Sequence, residues 1–446
     1  MYGLLTDLYE LTMAAGYFAA GKSEEKATFE LSIRRLPPTR NYVIVAGLAQ
    51  VVEYLERLSF TEEEVDYLRR LPQFARVPSA FFDRLRSLRF TGDLFAVPEG
   101  TPMFAGEPLL NLRAPLIEAQ IAETYLLSMI TYQSLVATKA ARIVQTAAGR
   151  AIVEFGTRRA HSPQAGVLAG RAAYIGGCIG TSNTLAGRLY GVPVYGTAAH
   201  SWVLAFESEE RAFRQLQELL GERTVYIVDT YDTLEGTRTA ARLGKPLWGI
   251  RLDSGNLLEL SRAARAILDG AGLREARIMA SGDLNEYKIR ELVEAGAPID
   301  AFGVGTELAT SADAPNLGAV YKLVELETDG VRRFTAKWSE DKHTLPGAKQ
   351  VFRYRDRDEI ARSVECPNCP SGEPVEVLLR PVMLGGRVVE PLPTVEEARA
   401  RAAEALARLP HACRRLQDPE PYRIEYTPAL LELAEDVRRK GCGAAL

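Results

Sequence analysis

The segment Gly196-Thr-Ala-Ala-His200-Ser-Trp202 places an imidazole among small residues directly after the apolar run Val192-Pro-Val-Tyr195. Held at a strand end where ligand or backbone can come close, His200 reads as an acid, base or nucleophile near neutral pH, or as a structural hydrogen bonder. Five further apolar runs end in the same way. Ala151–Phe155 leads into Gly156-Thr-Arg158-Arg159, Val225–Val228 into Asp229-Thr-Tyr-Asp232-Thr, and Leu247–Ile250 into Arg251-Leu-Asp253-Ser-Gly. Ile278–Ala280 leads into Ser281-Gly282-Asp283-Leu, and Ile299–Phe302 into Gly303-Val-Gly305-Thr306.

These clusters offer three kinds of group. Ser281 and Gly282, and Gly303, Gly305 and Thr306, can present amides and hydroxyls at helix starts, which suits phosphate oxygens; a plain strand-to-helix turn explains each as well. Asp229, Asp232, Asp253 and Asp283 would repel one another on a shared face unless they held a cation, and Mg²⁺ on a phosphorylated substrate fits such oxygen ligands; each also reads as a helix cap. Arg158, Arg159 and Arg251 can fork onto carboxylate or phosphate, or lie solvated at the surface.

Positioning these groups requires a particular architecture. A short apolar run, a polar cluster and a helical segment recur six times after a long helical stretch from Ile117 to Thr138. That pattern predicts buried parallel strands with helical crossovers, whose carboxyl ends open on one face. The expected fold class is α/β: an irregular (β/α) TIM-like barrel with an additional α/β domain and a helical C-terminal region. Residues 1–116 form the N-terminal α/β domain, 117–320 the catalytic barrel, and 321–446 a C-terminal region whose strands, including Tyr321–Glu325 and Val351–Tyr354, pack on the N-terminal domain. Capping signals at Thr61-Glu-Glu-Glu64 and Thr394-Val-Glu-Glu397, and prolines at Pro78 and Pro428, mark helix starts. One motif is a decoy: Gly16-Tyr-Phe-Ala-Ala-Gly21-Lys22-Ser23 matches the phosphate-loop pattern, but it closes a helix and leads into a strand, the reverse of what that loop requires.

The 446 residues are 47% hydrophobic and 25% charged with a net charge of −4, which fits a folded chain of two or three domains and argues against nucleic acid as the main partner. No leader pattern or membrane-length apolar run is present, so a cytoplasmic protein is expected. Of five cysteines, four lie beyond residue 360. Cys366-Pro-Asn-Cys369 has the spacing of half a zinc site, which Cys413 and Cys442 could complete, or all four remain unligated; Cys178 reads as a packing residue.

Taken together, Leu4–Tyr9, Glu154–Arg159, Gly196–Ser201, Asp229–Tyr231, Gly249–Gly255, Gly303–Thr306 and Thr344-Leu-Pro-Gly-Ala-Lys349 resemble the signature segments of the nicotinate phosphoribosyltransferase family, in family order over most of the chain. The resemblance implies an enzyme that joins nicotinate to 5-phosphoribosyl 1-pyrophosphate, giving nicotinate mononucleotide and pyrophosphate, with ATP hydrolysis coupled to the step. It implies that His200 is phosphorylated by ATP, that Tyr9, Thr197 and Arg251 contact nicotinate, that Thr306 contacts the phosphoribosyl substrate, and that the protein is a homodimer. Some family members are similar in carrying a cysteine site. Asn256 departs from the pattern, standing where an aspartate is frequent, which leaves the Mg²⁺ ligands open.

The chemistry agrees with the residues. The pyridine nitrogen is itself the nucleophile, so no protein base is needed, and carboxylates near the ribose, Asp253 among them, suit the positive charge that builds at the anomeric carbon. Alternatives are transfer to nicotinamide or quinolinate, or a non-catalytic phosphate-binding barrel; the His200, Arg251 and Asp253 set argues against the last.

Overall fold

The computed structural model describes residues 2–338, 343–367, 372 and 374–440, in two compact units. The first gathers the chain up to Ser134, Asn316–Thr394 and the part from Glu404 on. Its main sheet is antiparallel, in the order Val331–Phe334, Gly318–Thr328, Lys26–Arg35, Pro108–Pro115, Asp93–Ala96, Arg380–Leu384, Arg387–Val388. Lys26–Arg35 is an interior strand buried on both faces, with Ala27, Phe29, Leu31 and Ile33 on one and Thr28 and Glu30 on the other.

Two motifs are absorbed by this unit. Gly16–Ser23 closes the helix Leu8–Ala19 and precedes Lys26–Arg35, with the Lys22 ammonium 2.6 Å from Glu25, so no helix N-terminus faces outward there. Lys349 is buried, lies 2.9 Å from Glu30 Oε2, and donates to the carbonyls of Leu345 and Gly347 at 2.9 Å each. It fastens the Thr344–Lys349 segment to the central strand. Burial holds the Glu30 carboxyl above its ordinary range even against that ammonium.

Tyr9 is exposed on the first turns of Leu8–Ala19, beside exposed Leu5, Leu8 and Met13, while Glu10, Leu11, Ala14 and Ala15 are buried. Burial, reinforced by Glu123 and Glu10, raises the Tyr9 phenol, so it stays protonated. The Thr61 capping box is formed, with Glu64 N and the Thr61 hydroxyl 3.2 Å apart and the Glu64 carboxylate returning to Thr61 N at 2.8 Å.

The second unit comprises Leu135–Pro315 with Val395–Ala403, and begins inside the helix Glu123–Thr146. Its sheet is parallel, in the order Gly180–Thr181, Ala151–Glu154, Ala301–Val304, Arg277–Ala280, Gly249–Leu252, Val225–Ile227. The apolar strands are bounded by helices such as Thr233–Leu243, Leu257–Gly270 and Glu286–Glu294. The fold is thus mixed α/β with a parallel sheet; among the described residues the two edge strands do not pair to close it.

One expected strand is corrected. Val192–Tyr195 contributes only a single bridge, Val194 to Thr181. Pro193 has no N–H for a ladder, and its carbonyl would lie 2.3 Å from a Cβ at Gly180, so only glycine lets the chains touch there. The strand that takes this place, Gly180–Thr181, is too short to carry a periodic signal. Among the described residues no helix is long and apolar enough to cross a membrane.

Candidate active site

Four strand ends of the second unit meet around Arg251. This residue lies on Gly249–Leu252 with its side chain 12% exposed. Its Nε donates to Ser281 Oγ at 2.7 Å, Nη1 to Thr197 Oγ1 at 2.8 Å and Nη2 to Asp253 Oδ1 at 2.6 Å. The guanidinium lies over the Phe155 ring, 5.6 Å from its centre, and that ring fits because a Cβ at Gly303 would come within 2.5 Å of it. A guanidinium has five N–H groups. Three are used, leaving one on each terminal nitrogen for a bidentate anion.

Asp253 is held below the usual carboxylate range: burial opposes ionisation, but the Ser281 hydroxyl, the Arg251 charge and hydrogen bond, and His200 outweigh it. Its backbone N–H donates to Asp229 Oδ2 at 3.0 Å, which also accepts from Ser254 Oγ at 2.7 Å. Asp229 Oδ1 is buried and has no hydrogen-bond partner.

His200 starts the short helix His200–Leu204, pinned by Trp202 Nε1 donating to Ala212 O at 3.0 Å. Its ring is 40% exposed, with Nδ1 3.3 Å from Thr230 Oγ1 and Nε2 3.7 Å from Asp253 Oδ2 and 3.9 Å from Asp229 Oδ1. An exposed imidazole oriented by two carboxylates and the Thr230 hydroxyl can take and return a charged group at a ring nitrogen.

Glycines let the backbones close around this cluster. Gly282 has φ +96°, and a Cβ there would sit 2.1 Å from Asp253 O; Asp283 follows at φ +46°. A side chain on Gly156 would meet Ala309 at 2.3 Å and Gly305 O at 2.7 Å, so the turns after Ala151–Glu154 and Ala301–Val304 lie against each other. Thr306, exposed, begins the helix Thr306–Ala309.

The structure thus gathers Thr197, His200, Arg251, Asp253 and Ser281, and beside them Gly282. Two aspartates take other roles. Asp232 caps Thr233–Leu243, accepting from the N–H groups of Leu234 at 3.0 Å and Glu235 at 2.9 Å; Asp283 accepts from Lys288 Nζ only through its carbonyl, at 2.8 Å. Asn256, the departure from the family pattern, caps Leu257–Gly270. Arg158 and Arg159 lie exposed on the turn Thr157–Arg159. Cys366 is exposed and Cys413 buried, both with free thiols, while Cys369 and Cys442 lie outside the described residues.

Sequence reasoning passed over Thr230, Ser254, Phe155 and Glu154. The first two directly follow aspartates at strand ends, which was signal enough. Glu154 looks like an ordinary strand residue; yet it is buried, and its carboxylate, raised by that burial, accepts from Gly156 N and Thr181 Oγ1 to lock the neighbouring turn.

Comparison with known proteins follows this geometry. Residues 4–131 match the nicotinate phosphoribosyltransferase (NAPRTase) N-terminal domain, 150–335 the nicotinate phosphoribosyltransferase (NAPRTase) family, and 346–434 the nicotinate phosphoribosyltransferase C-terminal domain. A nicotinate phosphoribosyltransferase of Mycobacterium tuberculosis is 46% identical over 426 residues, covering 93% of this chain and 89% of its own. That of Bacillus subtilis is 46% identical over 359 residues, covering 78% and 72%. The crystal structure of human nicotinic acid phosphoribosyltransferase superposes with a TM-score of 0.83 at 30% identity, over 97% of this chain and 100% of that one. A nicotinate-nucleotide pyrophosphorylase from Pyrococcus furiosus superposes with a TM-score of 0.75 at 27% identity, over 91% and 95%.

Proposed function

The chain belongs to the nicotinate phosphoribosyltransferase family, and from that membership we propose that it transfers the phosphoribosyl group of 5-phosphoribosyl 1-pyrophosphate to nicotinate in NAD salvage, coupled to ATP hydrolysis. The observation that carries this reading is Arg251: a partly buried guanidinium fixed by Thr197, Asp253 and Ser281, with two N–H groups left to fork onto the nicotinate carboxylate. Thr197, within reach of the same carboxylate, adds a hydroxyl.

In the reaction the anomeric C–O bond to pyrophosphate breaks as the C–N bond to the pyridine nitrogen forms. That nitrogen carries no proton, so none has to be removed. Asp253, whose carboxyl is held below its ordinary range, stabilises positive charge on the ribose. The amides of Gly282 and Asp283 and of Gly305 and Thr306 grip phosphate oxygens, the Ser281 amide being committed to Leu252 O at 2.9 Å, and exposed Arg158 and Arg159 supply charge at the rim.

Mg²⁺ fits the donor set. Among the described residues no group of three or more His, Cys, Asp and Glu side chains is arranged to hold a metal, but this ion is commonly held by one or two carboxylates, waters and substrate phosphates. The unpartnered Asp229 Oδ1, beside Asp253, is the oxygen available for it. When bound, Mg²⁺ would neutralise charge on the leaving pyrophosphate.

His200 accepts the γ-phosphoryl group of ATP at a ring nitrogen and yields it to water, releasing phosphate; the added charge biases the turns around the pyrophosphate between open and closed arrangements. ATP labelled in its γ-phosphate should label the wild type and leave His200→Ala unlabelled. A labelled mutant would rule His200 out.

Four further readings complete the proposal. The exposed stripe Leu5 46%, Leu8 42%, Tyr9 46% and Met13 38% favours a homodimer in which Tyr9 serves the nicotinate pocket of the other copy. The parallel sheet with its crossover helices is read as an irregular (β/α) barrel, and the chain as cytoplasmic. Cys366, Cys369, Cys413 and Cys442 are assigned to one structural Zn²⁺; burial and Glu420 keep the Cys413 thiol protonated, so binding releases a proton. Metal analysis of purified protein should find about one zinc per chain, and its absence would remove the clip.

A further inference from the structure

The second unit buries a cation that this chemistry does not use. Lys139, on Glu123–Thr146, has a side chain 1% exposed, and its ammonium reaches Glu286 Oε2 at 2.7 Å, Asp313 Oδ1 at 2.9 Å and Glu307 Oε2 at 3.3 Å. Nearly one turn further on, Arg142 donates from Nε to Glu286 Oε1 at 3.1 Å and from Nη2 to the Tyr287 hydroxyl at 3.4 Å. Burial alone would weaken the lysine's hold on its proton. The carboxylates outweigh that and hold it above its ordinary range, so it stays charged.

The three carboxylates come from two segments that follow strands, the start of Glu286–Glu294 and the stretch from Glu307 to Asp313. Glu286 opens the helix Glu286–Glu294 directly after the Ser281-Gly282-Asp283 turn. Glu307 is the second residue of Thr306–Ala309, and Asp313 lies just past it, where Ser311 at φ +46° donates to Ala314 O at 2.8 Å and turns the chain. The segment through Gly303–Thr306 is therefore held from its downstream side, and the Ser281–Asp283 turn likewise, by one ammonium. A buried ion pair contributes little net stability, because desolvation offsets the attraction, but it can enforce registry.

We propose that Lys139 is a positioning residue that sets the spacing between the Ser281–Asp283 and Gly303–Thr306 turns, and so the geometry in which both grip the phosphates of the phosphoribosyl substrate. This rests on the assignment of those turns to phosphate binding. A lysine that merely filled space would need no carboxylate from both segments; this one takes them from each.

The test is steady-state kinetics on the full chain with 5-phosphoribosyl 1-pyrophosphate varied, with melting temperatures, for Lys139→Met, Lys139→Arg, Glu307→Gln, Asp313→Asn and Thr306→Val. Lys139→Met and Thr306→Val should raise KM for that substrate by about tenfold or more. KM for nicotinate should stay within about twofold, and Lys139→Arg should recover most of the loss. Glu307→Gln and Asp313→Asn, whose side chains are 31% and 16% exposed, should raise it by smaller factors and carry the test if Lys139→Met does not fold. Lower melting temperatures with KM unchanged across the Lys139, Glu307 and Asp313 variants overturn the proposal. If Thr306→Val also leaves KM unchanged, the phosphate assignment fails first and takes the tether with it.

Discussion

Arg251→Ala is expected to lower kcat/KM for nicotinate by roughly 10²–10³-fold, since truncating one partner of a buried, hydrogen-bonded charge pair costs about 2–5 kcal/mol and each 1.4 kcal/mol is about tenfold. The loss has two parts. The nicotinate carboxylate loses its bidentate fork, and Asp253, Ser281 and Thr197 lose the donor that holds all three in place. Lysine should not restore it, because a single ammonium cannot serve three partners and still present two parallel N–H groups; Arg251→Lys is expected to regain less than about tenfold. The effect should fall on nicotinate, since nicotinamide brings no negative charge for the fork to recognise. Pyrophosphate release at varied nicotinate measures it, and a variant within about threefold of wild type would remove Arg251 from the pocket.

Asp253→Asn is expected to reduce kcat by about 10²–10³-fold, the scale seen when one electrostatic contact to a transition state is removed, with KM for nicotinate changed less. The substitution keeps the shape, so Arg251 and Ser281 retain a neighbour, but the charge proposed to face the developing cation is gone. A stability signature accompanies it. The carboxyl of Asp253 is depressed in the folded state, so the stability it contributes is present above the unfolded carboxylate value of about 3.9 and is lost as pH falls through the lower folded value. At neutral pH the variant should be roughly 1.5–3 kcal/mol less stable, and this difference should shrink on acidification below about pH 4. Denaturant melts at pH 7 and pH 3 measure that, and a difference independent of pH would contradict the ion-pair account.

What the sequence shows and what it conceals divide along physical lines. Strand ends were legible where an apolar run meets a residue type that cannot be idle, as at Arg251 and Asp253; His200 was legible as a residue type, but it opens a helix and does not end a strand. The glycines were legible as punctuation, but not for what each avoids. Gly282 spares the Asp253 carbonyl and Gly303 the Phe155 ring, facts that depend on chain distant in sequence. Asp232 reads from sequence as a cation ligand or a helix cap and is a cap in three dimensions, because a cap and a strand-end ligand occupy the same place in a strand-to-helix unit. Val192–Tyr195 failed as a strand since its composition speaks for β structure while its neighbour Gly180–Thr181 is only two residues long, so the pairing stops at the Val194–Thr181 bridge. Lys139 gave no signal at all: a lysine within a helix is ordinary until its carboxylates arrive from residues 286, 307 and 313.

The central claim is that a fixed guanidinium at a strand end selects a pyridine carboxylate as the phosphoribosyl acceptor. Pyrophosphate release by the wild-type protein from 5-phosphoribosyl 1-pyrophosphate and Mg²⁺, with nicotinate, nicotinamide or quinolinate as acceptor, each with and without ATP, tests it most directly. The account predicts release with nicotinate, stimulated by ATP, and at least about a hundredfold lower kcat/KM with nicotinamide. Comparable turnover of nicotinamide, or a preference for quinolinate, would contradict it.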